Sequence, residues 1–462
     1  MEILSGDILV VGLGVSGEAA SVYCARRAAA GDAIRVTAVD SGDSESLRAR
    51  RADLEKLGVE VRLGVSSVEG SYDLAVVSPG VPPHVSLMQE ARRAAREVIS
   101  ELEFAYRRSS APWIAVTGTN GKTTVTSLIG HILTTAGVPA TVVGNIGTPA
   151  ILAVDETGPT GALVAEVSSF QLALTDCFHP RVSVLLNVTP DHLDWHGDME
   201  RYAADKARVF SRQTADDTAV IDADDEGSAR FIEAVRAQGV RVVEVSISRV
   251  VAGGAGLSAE GMLVIDTPSG RVSLLNRDGL LIRGDHNVSN ALAAAAAACA
   301  FGVGWDAIRD GLRTFRPIEH RLEPVGTVGG VEYFNDSKAT NPDAAMKALN
   351  AFAGRPVVML LGGRNKGSRF SELGRTMAVA GARAVVFGEA ADEIATDIGA
   401  EGVVYERAAG LAEAVTRSAR TAAPGTAVIL SPACASFDEF ADYVDRGLAF
   451  RGLVDALTGE VA

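Results

Sequence analysis

The residues best equipped for chemistry lie in Thr117-Gly118-Thr119-Asn120-Gly121-Lys122-Thr123-Thr124. Glycines let a backbone turn tightly and aim N–H groups inward. A helix start adds partial positive charge and Lys122 a full one, so the stretch suits an anion. The Thr123 hydroxyl follows the lysine, where it can reach Mg²⁺. This is the chemistry of ATP phosphate binding. The strict pattern G-x-x-x-x-G-K-[ST] is not met, because Val116 stands where the first glycine belongs, and Gly118 supplies the freedom instead. A plain glycine turn is the alternative, but it has no need of Gly-Lys-Thr-Thr.

A second loop, Gly12-Leu13-Gly14-Val15-Ser16-Gly17, matches G-x-G-x-x-G between an apolar run and a helical pattern. Asp40 ends the next apolar run at the spacing of an NAD-binding acid. A bare helix N-terminus accepts any diphosphate, so NAD and a UDP-sugar are both open. Ser78-Pro79-Gly80 is a third glycine-ended loop, read either as a ligand loop or as an ordinary turn.

Other side chains carry weaker signals. Glu166 ends the run "ALVAE", where a carboxylate suits Mg²⁺; a solvated strand-end charge is the alternative. Ser168 and Ser169 read equally well as a polar turn. His192 in "TPDHLD" is an unusual Mg²⁺ ligand, and Lys206 reads as a solvent lysine. Asn287 and Asn290 read as helix caps, and Asn145 as a turn residue or a substrate contact. Arg321 in "EHRLEP" can clamp a phosphate with both arms of its guanidinium, or make a surface ion pair.

These groups need rigid elements behind them. "WIAV" reads as a buried strand and "TVTSLIGHILTTAG" as a helix ending at Gly137. "DILVVGLG", a helix over residues 16–30, "IRVTAVD", "VEVRLG" and "DLAVVSPG" predict a first doubly wound α/β domain. Strands at "ALVAEVS" and "VSVLLNVT" follow the phosphate loop. "GMLVIDTPSGRVSLL" predicts a hairpin in a small accessory sheet, and "NVSNALAAAAAACAFG" a helix. "VEYFND", "PVVMLLGG", "RAVVFG", "GVVYE" and "TAVILSP" predict a last α/β domain. The expected fold is therefore α/β in three domains: a Rossmann-like one over 1–110, a P-loop-type ATPase over 111–317 with the accessory sheet, and a Rossmann-like one over 318–462.

Composition narrows the classes. The chain has 462 residues, 47% of them apolar, and a net charge of −15. Broad acidity argues against nucleic-acid and anionic-membrane partners. The cysteines, Cys24, Cys177, Cys299 and Cys434, lack metal-ligand spacing and read as reduced residues of a cytosolic protein. Glu2 and Asp7 argue against a signal peptide. The alanine-rich run 291–300 is too short to span a bilayer. A cytoplasmic protein, expected as a monomer, is implied.

Taken together, "TGTNGKTT", "EVSSFQL", "NVTPDHLDWHG", "GDHNVSNALAA", "EHRLEPV", "FNDSKATNP" and "LSPACASFDEF" resemble the muramyl-peptide ligases, in that family's order and over nearly the whole chain. Folylpolyglutamate ligases share the central loop, but not the set as a whole. "SPACASFDEFADYVDRG" is most similar to the members that add D-glutamate to UDP-N-acetylmuramoyl-L-alanine, and the D-N-P-R motif of the diaminopimelate- or lysine-adding members is absent.

The resemblance implies an ATP-dependent amide ligase working through an acyl phosphate with two Mg²⁺ ions. It implies ATP contacts at Gly118, Thr119, Asn120, Gly121, Lys122, Thr123, Thr124, Asn287, Arg321 and Asp336, the last at the ribose. It makes His192 a ligand of the second Mg²⁺, with Asp191 and Asp194 beside it, and Lys206 a carbamylated metal ligand, joining Thr123 and Glu166. Lys338, with Thr340 and Asn341 nearby, would face phosphoryl or substrate charge. Gly14, Val15, Ser16, Ser41, Gly80 and Asn145 would meet the UDP substrate. Lys366, Ser436, Phe437 and Tyr443 would meet D-glutamate. One departure stands out: relatives often carry Thr-Arg after the second strand, whereas this chain has Ser41-Gly42, so the guanidinium has no counterpart there. The last domain is expected to close before chemistry.

Overall fold

Ile8, Leu9, Val10 and Val11 are all buried, on both faces of their strand, which is the mark of a parallel sheet covered by helices on each side. That strand, Ser5–Val11, is the centre of a five-stranded parallel sheet. The order across it is Glu60–Arg62, Ala33–Val39, Ser5–Val11, Leu74–Val77, Val98–Ser100. The structure, a computed structural model, describes residues 5–316 and 319–460. Glu2, the expected boundary at 317/318 and the side chain of Asp194 lie outside the described residues.

The helix Val15–Ala29 follows the first strand directly. Gly17 allows this: a Cβ there would sit 1.8 Å from the Gly12 carbonyl oxygen. The sequence reading overlooked the helix Glu45–Lys56, whose mostly charged surface masks the single buried Leu54.

A nine-stranded sheet carries the phosphate loop. Its order is Gly270–Asn276, Met262–Thr267, Ala255–Leu257, Arg241–Ser246, Thr218–Asp222, Val182–Leu185, Trp113–Thr117, Ala162–Glu166, Ala140–Gly144. The expected accessory sheet is not separate. The hairpin of Met262–Thr267 and Gly270–Asn276 is antiparallel, but it continues the main sheet through Ala255–Leu257, which pairs parallel to Arg241–Ser246. An open sheet edge presents unpaired backbone groups, and the hairpin satisfies them. Trp113–Thr117 lies between Ala162–Glu166 and Val182–Leu185, so the loops leaving these three strands emerge side by side.

The third sheet runs Glu323–Val328, Val331–Asn335, Ala427–Ala433, Val357–Gly362, Arg383–Phe387, Tyr405–Arg407. Only Glu323–Val328, which the sequence reading overlooked, is antiparallel to its neighbour. The last strand starts at Tyr405, not in "GVV" as expected; Val403 instead packs into the core.

The chain forms two compact units. One holds residues up to 279 with 289–313, and therefore both of the first two sheets; the other holds 280–288 and 314 onward. Within the first unit, the helix Glu101–Arg108 welds the two sheets. Buried Glu103 accepts backbone N–H bonds from Asp176, Cys177 and Phe178 at 2.8–3.0 Å. Among the described residues no helix is long and apolar enough to cross a membrane.

Candidate functional site

The phosphate loop joins the strand Trp113–Thr117 to the helix Lys122–Thr135. Gly121, at φ +86°, precedes the helix, and a Cβ there would lie 2.5 Å from Asn290 Oδ1. No side chain caps the helix, so first-turn N–H groups face the loop, as anion binding requires. Asn187 clamps the loop: its Oδ1 accepts from Asn120 N at 2.7 Å and its Nδ2 donates to Asn120 O at 3.1 Å. The Thr119 hydroxyl bonds Tyr202 Oη at 3.0 Å and accepts from Thr189 N at 3.0 Å. Neither Asn187 nor Tyr202 was singled out from the sequence; both are single polar residues whose partners lie far along the chain.

Glu166 is buried beside this loop. Thr123 Oγ1 donates to its Oε2 at 2.7 Å, and Asn145 Nδ2 donates to its Oε1 at 2.8 Å. A carboxylate and a hydroxyl together at the mouth of a phosphate loop fit Mg²⁺, which takes few protein oxygens and fills its octahedron with water and phosphate. Asn145 thus orients Glu166.

Two lysines converge on one carbonyl. Lys122 Nζ donates to Gly118 O and Thr119 O, each at 2.8 Å, and Lys206 Nζ donates to Gly118 O at 2.8 Å. Lys206 is buried over the Tyr202 ring, which overturns its reading as a solvent lysine. Desolvation, and then the charge of Lys122, hold its amine well below the usual lysine pKa. Both effects favour the neutral form of the amine.

His192 has left-handed backbone, is partly exposed, and lies 3.6 Å from Asp191 and 4.8 Å from the Phe170 ring centroid. Among the described residues no group of three or more His, Cys, Asp or Glu side chains is arranged to hold a metal.

Behind these groups runs a chain absent from the sequence reading. Ser169 Oγ meets His196 Nε2 at 2.9 Å, and His196 Nδ1 meets Asp205 Oδ2 at 2.8 Å. Ser169 and His196 are buried, so this Ser–His–Asp arrangement offers no accessible nucleophile. It ties together the segments that carry Glu166, His192 and Lys206. Ser168 caps the short helix Ser169–Leu172 in a capping box with Gln171, which is the polar-turn reading.

At the first sheet, Gly14, Val15 and Ser16 form an uncapped helix start. Ser41 and Gly80 are exposed on the neighbouring loops. Asp40 accepts from Leu13 N and Gly42 N, both at 2.7 Å. Its carboxylate therefore braces the loop, whereas an NAD site needs it for a ribose. Arg50, from the overlooked helix, donates to Leu13 O at 2.6 Å and pairs with Glu18 at 2.9 Å. A guanidinium thus stands at this loop although Gly42 supplies none.

In the second unit, Asn287 and Arg321 share a small cleft with Leu281, Ile282, Arg283, Leu322 and Pro324. Asn287 donates to Arg283 O at 2.7 Å, so it works as a local brace within the first turn of its helix. Asp336 is buried; it accepts from Ser431 Oγ at 2.8 Å and from Leu322 N at 3.2 Å, and burial pushes its carboxyl up to about 7. Lys338 Nζ lies 5.3 Å from the Tyr443 ring centroid. Asn341 caps the helix Pro342–Asn350, with Thr340 just before it. Lys366 is exposed on the loop after Val357–Gly362. Ser436 is buried and Phe437 is 63% exposed on the loop after Ala427–Ala433. These two loops are bridged by Arg364 and Ala435, whose backbones exchange hydrogen bonds at 2.8 and 3.0 Å.

Two family models match the chain: the Mur ligase middle domain over residues 116–298, and the Mur ligase, glutamate ligase domain over 320–434. A protein of Pelotomaculum thermopropionicum named UDP-N-acetylmuramoylalanine–D-glutamate ligase is 44% identical, over 97% of each chain. One of the same name from Acidobacterium capsulatum is 42% identical, over 100% of this chain and 99% of the relative. The chain belongs to the Mur ligase family. Among solved structures it is similar to UDP-N-acetylmuramate–alanine ligase from Thermotoga maritima, with a TM-score of 0.59 at 19% identity, over 98% of this chain and 99% of that one. At that identity the likeness concerns the fold: this Mur ligase shares the α/β architecture of a relative whose sequence has largely diverged.

Proposed function

We propose that this protein is an ATP-dependent ligase that joins D-glutamate to UDP-N-acetylmuramoyl-L-alanine in peptidoglycan precursor synthesis. The observation that carries the reading is Glu166, buried against Thr123 at the mouth of a lysine-bearing phosphate loop, in a chain 44% identical over 97% of its length to a relative bearing that name.

The chemical problem is the meeting of two anions, a carboxylate and the γ-phosphate. The carboxylate oxygen attacks the γ-phosphorus, the bond to the β-phosphate oxygen breaks, and ADP leaves. The amine nitrogen of D-glutamate then attacks the acyl carbon, loses a proton and expels inorganic phosphate. Lys122 and the helix N–H groups hold phosphate charge. Thr123 and Glu166, oriented by Asn145, would hold Mg²⁺. When bound, Mg²⁺ offsets the negative charge on the transferring phosphoryl group. The lowered pKa of Lys206 favours the neutral amine that carbamylation by CO₂ requires, and with His192 the carbamate would complete a second Mg²⁺ site. Arg321, Asn287 and Asp336 are assigned to ATP, Lys338 to phosphoryl or substrate charge, and Lys366, Ser436, Phe437 and Tyr443 to D-glutamate. Residues 1–110, with Gly14, Val15, Ser16, Ser41 and Gly80, would take the UDP substrate, 111–317 ATP, and 318–462 the amino acid.

The deciding experiment measures ADP release against a panel of amino acids with the UDP-acceptor fixed. Strict dependence on D-glutamate supports the reading. Turnover with another amino acid, or with a folate acceptor, would replace it with a different amide ligase.

A further inference from the structure

Arg446 is fully buried in the second unit, yet among the described residues no carboxylate lies among its hydrogen-bond partners. Nε donates to Ser337 Oγ at 3.0 Å. Nη2 donates to Ser337 O at 2.8 Å and to Cys434 O at 3.1 Å, and Nη1 reaches Gly362 O at 3.4 Å. These acceptors belong to three separate loops. Each follows, or ends, one of three adjacent parallel strands: Val331–Asn335, Ala427–Ala433 and Val357–Gly362. C-terminal strand ends are where a doubly wound sheet takes its ligand. The same loops carry Lys338, Ser436 with Phe437, and Lys366.

Burial of an unpaired charge is costly, and carbonyl dipoles compensate it only in part. Burial lowers the guanidinium to about 10, which still leaves it cationic at neutral pH. The acids that act on it, Asp438 and Glu439, are tied elsewhere: Asp438 accepts from Glu389 N, and Glu439 from Leu411 N. Neighbouring geometry protects the arrangement. A Cβ on Gly363 would come within 3.1 Å of Nη1, and one on Gly447 would strike His320.

We propose that Arg446 is the positioning residue of the amino-acid site: it holds the three loops in register and supplies, from beneath them, positive potential that favours an amino acid with two carboxylates. The inference rests on the ligase reading given above. Buried and out of reach, Arg446 does not touch substrate. Lysine cannot replace it, because one ammonium cannot span three carbonyls in a plane, although it keeps the charge.

The test compares wild type, Arg446→Lys and Arg446→Met in steady-state ligation, varying D-glutamate, UDP-acceptor and ATP in turn, at low and high salt. Arg446→Met is expected to raise KM for D-glutamate at least tenfold, leave the KM of the UDP-acceptor within about twofold, and flatten the salt dependence of kcat/KM for D-glutamate. Arg446→Lys should restore the salt dependence while the KM for D-glutamate stays raised. Equal rises in all three KM values, or an unchanged KM for D-glutamate with only a lower melting temperature, would overturn the inference and leave the ligase reading intact. Should Arg446→Met not fold, the same split read on Arg446→Lys decides. Wild type preferring an uncharged amino acid would sink the D-glutamate reading, and this inference with it.

Discussion

Thr123 Oγ1 donates to Glu166 Oε2 at 2.7 Å, a bond between residues 43 positions apart. It couples the first turn of the phosphate-loop helix to the end of the neighbouring strand, and it fixes where a divalent ion would sit. Thr123→Ala is expected to raise the Mg²⁺ concentration for half-maximal activity by about 10–100-fold, the usual effect of losing a group that orients a metal ligand. Asn145→Ala should do the same, since it holds the other oxygen of Glu166. A change confined to the KM of the UDP-substrate would mark Asn145 as a substrate contact instead.

Lys122→Ala should lower kcat by about 10²–10³-fold, the scale for removing one group that stabilises transition-state charge. Isothermal titration with the UDP-substrate should show binding unchanged, because that substrate is assigned to the first sheet. Loss of UDP-substrate binding would contradict the assignment.

Glu101 gives a pH-dependent stability. It is buried, with Oε1 accepting from Ile151 N at 2.7 Å and Oε2 lacking a hydrogen-bond partner among the described residues, and burial pushes its carboxyl up to about 7. A carboxyl raised from 4.5 in the unfolded chain stabilises the fold fully below pH 4.5, and that contribution is lost as pH rises through 7. The loss amounts to about 3 kcal/mol for a shift of this size. Urea unfolding between pH 4.5 and 8.5 should show this slope in wild type and a flatter one in Glu101→Gln. Equal slopes would refute it.

His196→Ala removes both links of the Ser169–His196–Asp205 chain and leaves two buried or half-buried partners unsatisfied. The expected destabilisation is about 1–3 kcal/mol by denaturant unfolding. Activity should fall further than that loss accounts for, because Glu166, His192 and Lys206 would lose their common brace. Unaltered kcat at a temperature where the variant is fully folded would confine the chain to stability.

NADH fluorescence titration should show no binding, since the Asp40 carboxylate is engaged by the amides of Leu13 and Gly42. Saturable binding would reopen the oxidoreductase reading of residues 12–17.

Local chemistry was legible wherever one short segment carries its own signal. The phosphate loop needs only glycines, Lys122 and a helix start, all contiguous, and the strands around it are continuous apolar runs. Short-range patterns failed where burial depended on a partner. Helix Glu45–Lys56 has only Leu54 buried, so it shows no apolar stripe. The hairpin's turn was readable, but nothing within the hairpin says which sheet edge it completes.

The sequence by itself therefore determined the α/β class, the phosphate loop and the family, because each is written in neighbouring residues or in motif order. Only the tertiary structure decided that Lys206 is a buried amine sharing a carbonyl with Lys122, that Asp40 braces a loop, that His196 links Ser169 to Asp205, and that Arg446 joins three strand ends. Burial, hydrogen-bond partners and pKa arise from groups brought together across tens of residues, and no local pattern encodes which distant carbonyl a side chain will meet.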